Sequence, residues 1–139
     1  MIWQKEFTIE EVNAGRNNMV LHLGIEFTEK HDKYVIAKMP VDERTRQPFG
    51  ILHGGASVAL AETLGSMAGW LCLSDEKMVV VGQEINANHL RSVREGYVYG
   101  KAFPIHLGRK SQVWAIEITN EEGKMVCISR MTLAVVPIV

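Results

Sequence analysis

Between Ile51 and Leu73 the chain carries one formal charge, the carboxylate of Glu62. On a helix at 100° per residue, Leu64, Met67 and Leu71 fall within about 40° of Leu60 and form one apolar stripe. Ser57, Ala61, Gly65 and Gly69 recur at i, i+4 and form a second stripe, small enough to admit a close neighbour. Glu62 lies opposite the leucines, with Ser66 one turn on and Val58, Ala59 and Trp70 nearby. A lone carboxylate between two packed faces is costly unless it is paired or held at an interface, which favours a functional group over a bystander. The plain alternative is that Glu62 points to solvent from a third face.

Upstream stands His53-Gly54-Gly55. Two residues without Cβ sit where helix amides have no partner inside the helix, so another molecule can approach the backbone N–H groups. Backed by the helix dipole, those amides suit an anion or an oxyanion. A Gly-Gly pair equally suits a tight turn from loop to helix, and the tripeptide alone is a weak signal. Spacing sharpens it. Gly54 and Glu62 are eight residues apart, about 12 Å along one helix axis, too far to touch one reacting carbon. If both serve one site they come from different subunits, so the spacing predicts a two-fold homodimer with active sites at its interface.

Other chemistries lack their motifs. There is no G-x-S-x-G, H-E-x-x-H or G-x-x-x-x-G-K pattern and no Cys/His cluster, so no metal is required. No Asp accompanies Ser57 or Ser66 to make a triad. Cys72 and Cys127 read as packing residues. Met1 to Glu6 lacks a secretory pattern, so a reduced, cytoplasmic protein is expected. Fifteen basic and 16 acidic side chains leave a net charge of −1, with no global field for nucleic acid or an anionic membrane. Gly55 to Leu73 is nearly all small or apolar, but its central Glu62 argues for a buried helix rather than a bilayer span.

These residues need a scaffold. A chain of 139 residues, 47% hydrophobic and without repeats, is expected to form one domain over 1–139. Thr8 to Ala14 has the capping-box pattern of a short helix, and Asn17 to Leu23 suits another helical turn. Strands are expected at 25–29 and 34–39, then a loop from Pro40 to Gly50 and the long helix from about Gly54 to Leu73. Four further strands follow, at 78–90, 96–106, 112–119 and 124–136, the last three joined by short turns as an antiparallel meander. The pattern is α+β: about six antiparallel strands wrapped around one long central helix.

Gln47-Pro48-Phe49-Gly50-Ile51-Leu52-His53-Gly54-Gly55, with Ala61-Glu62-Thr63 and Gly65-Ser66, resembles the acyl-CoA thioesterases of the hotdog superfamily. Met39-Pro40-Val41-Asp42, Ile85-Asn86-Ala87-Asn88-His89 and His106-Leu107-Gly108-Arg109 resemble one group within it. That group holds the bacterial 1,4-dihydroxy-2-naphthoyl-CoA hydrolases and the proofreading thioesterases of enterobactin synthesis. The resemblance spans nearly the whole chain and implies the hotdog fold and hydrolysis of an aryl- or hydroxyaryl-acyl-CoA. It implies roles as well. Glu62 attacks the thioester or activates water, the Gly54 amide holds the oxyanion, Gln47 and His53 orient the thioester, and Ser66 holds the water or supports Glu62. No cofactor is implied, since CoA is part of the substrate. A thiolate leaves with little acid help, so one carboxylate and one oxyanion donor suffice.

For the CoA phosphates, His89 and Arg91 share a strand face, Arg94 follows, and His106 with Gly108-Arg109-Lys110 stands at what the chain order makes the next turn. Together they are expected to form a basic rim. Met67, one turn beyond Thr63, is placed to shape the acyl pocket. The resemblance further favours a tetramer. Two alternatives stay open: acyl groups taken from a phosphopantetheine carrier protein, and an acyl-CoA-binding domain without catalysis. Against the latter, little chain precedes the first strand to hold a DNA-binding module, and binding alone would not need the Glu62 set.

Overall fold

In the computed structural model, which describes residues 1–139, six strands form one antiparallel sheet and a single long helix packs against it. The elements are α1 (Ile9–Ala14), α2 (Asn18–His22), β1 (Glu26–Lys30), β2 (Val35–Pro40), α3 (Gly54–Leu71), β3 (Met78–His89), β4 (Tyr97–Leu107), β5 (Ser111–Thr119) and β6 (Met125–Pro137). Each lies within three residues of its expected bounds. Thr8 caps α1 through the full capping box, its hydroxyl accepting from the Glu11 N–H while Glu11 accepts from the Thr8 N–H.

Alternation explains the sheet. In β5, Gln112, Trp114, Ile116 and Ile118 are buried, while the residues between them face outward half-exposed. Val98, Ala102, Met131 and Leu133 continue that inner face, against Leu60, Leu64 and Leu71 of α3. Each fully buried aliphatic side chain of this kind contributes about 1.5–3 kcal/mol. The small-residue stripe of α3 faces the sheet. A Cβ on Gly65 would meet Met131 Sδ at 2.8 Å, and one on Gly69 would meet Leu133 Cδ1 at 2.5 Å. Gln112 spans the same contact, donating to the Gly69 carbonyl at 3.2 Å and accepting from Trp114 Nε1 at 2.9 Å.

The strand order is β1-β2-β4-β5-β6-β3. The meander β4-β5-β6 forms as expected, but β3 crosses to its far side and pairs with β6. Two edges remain. On β1, the Asn13 side chain donates to the Phe27 carbonyl and accepts from the Phe27 N–H, both at 2.8 Å, so α1 occupies that edge. Nothing in the chain covers the free edge of the 12-residue β3. A long apolar edge is a template for another strand. No helix is long and apolar enough to cross a membrane.

Candidate active site

The loop before α3 is tied down at several points. The buried Thr45 hydroxyl donates to the Pro40 carbonyl at 2.8 Å, and the His53 N–H donates to the Thr45 carbonyl at 2.8 Å. The Leu52 N–H donates to the Val93 carbonyl at 2.8 Å, docking the loop on the segment after β3. Gln47 closes the turn through Gly50, whose φ of +84° suits glycine: the Gly50 N–H donates to the Gln47 carbonyl and the Phe49 N–H to Oε1. Gln47 is thereby half-buried with its amide group held.

His53 is the N-cap of α3, its Nδ1 accepting from the Gly55 N–H at 2.7 Å. A neutral ring that accepts at Nδ1 carries its proton on Nε2, a donor facing outward. The Gly54 N–H has no partner in the protein. It opens on a cavity of about 400 Å³ lined also by Gln47, Ser57, His89 and Arg91. The reason for the glycines is more specific than open space. A Cβ on Gly54 would stand 2.8 Å from His89 Nε2, and one on Gly55 2.9 Å from His53 Nδ1. Each glycine makes room for an imidazole.

Glu62 is exposed in the single chain and forms no ion pair within it. The burial that the helix pattern suggests is therefore absent from the single chain, where Glu62 faces solvent, the plain alternative of the sequence. Its carboxylate lies against β3, where a Cβ on Gly82 would come within 3.0 Å of Glu62 Oε2. Gly82 sits at a register shift between β3 and β6, with no side chain to displace the carboxylate. A cavity of about 460 Å³ holds Glu62 with Thr63, Ser66, Met67, Trp70, Val79 and Val80. Ser66 and Met67 are both half-buried there, and the Ser66 hydroxyl has no protein partner.

Gly54 and Glu62 consequently face different cavities, about 12 Å apart along α3. The expected basic rim does not form within one chain. His89 and Arg91 stand beside Gly54, but His106, Gly108 and Arg109 lie at the opposite end of the sheet. Through the paired registers, His89 aligns across β6 and β5 with Gly100, six residues or about 20 Å before His106. His106 packs on its own turn, its Nε2 2.6 Å from where a Gly108 Cβ would be. Arg109 lines a groove with Met78 and Asp75. Sequence reasoning missed Gly82 and the packing of His89 on Gly54. A lone glycine after Val79-Val80-Val81 signals a bulge or a close approach; the His89 contact has no local signal.

Comparison with known proteins matches this arrangement to a family. The thioesterase superfamily profile covers residues 49–127. The chain is 56% identical to the 1,4-dihydroxy-2-naphthoyl-CoA hydrolase of Escherichia coli, over 97% of this chain and 99% of that one. It is 54% identical to the proofreading thioesterase EntH of Cronobacter turicensis, over 97% and 98%. A crystal structure of a thioesterase from Haemophilus influenzae superposes with a TM-score of 0.95, at 56% identity and covering 99% of this chain and 96% of that one. With the six-stranded sheet, the long helix and these matches together, the chain belongs to the thioesterase superfamily and is a hotdog-fold thioester hydrolase.

Proposed function

We propose that this enzyme hydrolyses a hydroxyaryl-acyl-CoA, of the kind named for its Escherichia coli relative, to the free acid and CoA at two sites shared across a homodimer. The observation that carries this reading is the division of α3: an unpaired Gly54 amide faces one cavity and an exposed Glu62 the next, both beside the free edge of β3. Antiparallel pairing of two β3 strands about a two-fold axis covers that edge. Glu62 touches Gly82 and Gly54 touches His89, so an axis near Ile85–Asn86 sets Glu62 against the partner subunit's Gly54.

In that site the thioester carbonyl lies between the two groups. Glu62 attacks the carbonyl carbon, or draws a proton from a water that does, and Ser66 one turn on is placed to hold that water. The tetrahedral oxyanion is held by the partner subunit's Gly54 N–H, and the Nε2–H of the His53 beside it orients the carbonyl. Gln47 completes that wall, and collapse expels the CoA thiolate, leaving the free acid where water attacked and, where Glu62 attacked, an acyl–Glu62 anhydride that a water then hydrolyses to the free acid. His89 and Arg91 lie beside Gly54 to meet the nucleotide end of CoA.

Glu62→Gln tests the assignment. We expect intact folding and CoA binding with loss of turnover, measured as kcat on an aryl-CoA. Retention of more than about a tenth of the wild-type value would remove Glu62 from the chemistry. The 54% identity to a relative named as a proofreading thioesterase favours a second reading, with the acyl group borne on a phosphopantetheine carrier protein. The ratio of kcat/KM on acyl-CoA to that on the acyl-carrier protein decides between them.

A further inference from the structure

The cavity at Glu62 shares part of its wall with a neighbour. Met67 and Trp70 line it and also line a second cleft, about 690 Å³, between the C-terminal half of α3, the N-terminal segment and α1. The floor of this cleft is apolar: Phe7, Val12, Leu71 and Leu73 are each less than a tenth exposed. Its roof is fixed, because the Gln4 and Lys5 N–H groups both donate to the Leu71 carbonyl, at 3.0 and 3.2 Å. Lys5 Nζ stands 4.8 Å from the centre of the Trp70 ring, which lines both spaces. Three carboxylates, Glu6, Glu11 and Glu76, border the cleft against the one ammonium of Lys5.

We propose that this cleft is the far compartment of the acyl site and admits a second substrate class besides hydroxyaryl-acyl-CoA, thioesters with long, uncharged acyl tails. The proposal rests on the reading of Glu62 as the group that meets the thioester carbonyl. From there the acyl group runs past Met67 and Trp70 and ends beneath the N-terminal segment. Glu62 and Trp70 are eight residues apart, about 12 Å along the helix, or roughly ten bonds of an extended chain. The apolar floor takes a saturated or arylalkyl tail, while a terminal carboxylate there meets an excess of like charge.

Gly15 allows a clean test. It lines the cleft, and a Cβ on it would have only ordinary contacts, 3.6 Å to the Val12 carbonyl and 3.9 Å to that of Glu11. Calorimetry with S-decyl-CoA and S-butyl-CoA, thioethers that cannot be hydrolysed, reads the compartment without the chemistry. The wild type should bind the decyl compound at least tenfold more tightly, and Gly15→Phe should erase that advantage while leaving S-butyl-CoA within twofold. A carboxylate at the decyl terminus should weaken binding tenfold or more, and the double variant Glu6→Gln, Glu76→Gln should restore it. Equal binding of the two thioethers, or equal loss of both in Gly15→Phe, overturns the far compartment; absence of the carboxylate penalty overturns its charge selection. Decanoyl-CoA and benzoyl-CoA hydrolysis is followed alongside. If Glu62→Gln hydrolyses both as fast as the wild type while the thioether difference persists, the role of Glu62 fails and the cleft stands as a tail-binding compartment only.

Discussion

Gly82 has no side chain and still decides where Glu62 rests. A methyl group there would lie 3.0 Å from Glu62 Oε2 and 3.1 Å from Met131 Cε, so the carboxylate must shift to admit it. The shift required is a few tenths of an ångström, against about 1 Å for a loss on the order of 10²-fold in rate. Gly82→Ala is therefore expected to lower kcat severalfold with CoA affinity unchanged; steady-state kinetics and a CoA titration check it, and an unaltered kcat removes Gly82 from the site. At this scale the sequence was partly legible. Glu62 stands out because it is the one charge on an apolar helix, and His53-Gly54-Gly55 because glycines rarely begin helices without cause. The contacts that set their geometry, His89 on Gly54 and Gly82 on Glu62, join residues far apart in the chain, and no spacing announces them.

On α3, the stripe of small residues is what lets helix and sheet meet. A Cβ on Gly65 meets Met131 Sδ, near the end of a flexible side chain, whereas one on Gly69 meets Leu133 at 2.5 Å and, at 2.6 Å, Oε1 of Gln112, whose amide is held by hydrogen bonds at both Oε1 and Nε2. Overpacking a site that cannot yield costs about 1–3 kcal/mol, while replacing glycine by alanine in a helix recovers up to about 1 kcal/mol. Gly69→Ala is thus expected to destabilise the protein and Gly65→Ala to be near neutral, as urea denaturation would show; the reverse order would mean that the stripe does not set the packing. Helix and strand positions were legible for the same reason, since alternation in β5 and the capping box at Thr8 are local patterns. The order of strands was not. Following the chain places the turn at His106 next to the end of β3, but β3 crosses to pair with β6, and the basic rim expected of His89, Arg91, His106 and Arg109 is split between the two ends of the sheet.

For the whole molecule, burial pushes the Cys72 thiol up from its ordinary 9.0 to about 12. The unfolded chain ionises first, so this contribution to stability is complete below pH 9 and is lost as the pH rises through about 12. Thermal unfolding between pH 9 and 11 should show a fall that Cys72→Ala flattens; equal slopes would refute it. The larger question is whether one subunit suffices. Gly54→Pro removes the N–H proposed to hold the oxyanion, at a position where helices accept proline, and the preceding His53, at φ −68° and ψ 131°, already has the backbone that proline requires. Only the His89 ring, which a Gly54 Cβ would crowd, must swing aside. Loss of one such donor costs about 3–4 kcal/mol in barrier, so both Gly54→Pro and Glu62→Gln homodimers should be nearly inactive. In mixed dimers one site receives both defects and the other receives neither. Since half of a random mixture is mixed and half of its sites are then whole, co-refolding equal amounts should restore about a quarter of wild-type activity. A site built within a single chain has no such route, because every chain in the mixture carries one defect. If the mixture stays as inactive as its components while sizing confirms mixed dimers, the shared site is wrong, and Glu62 must find its oxyanion donor within its own subunit.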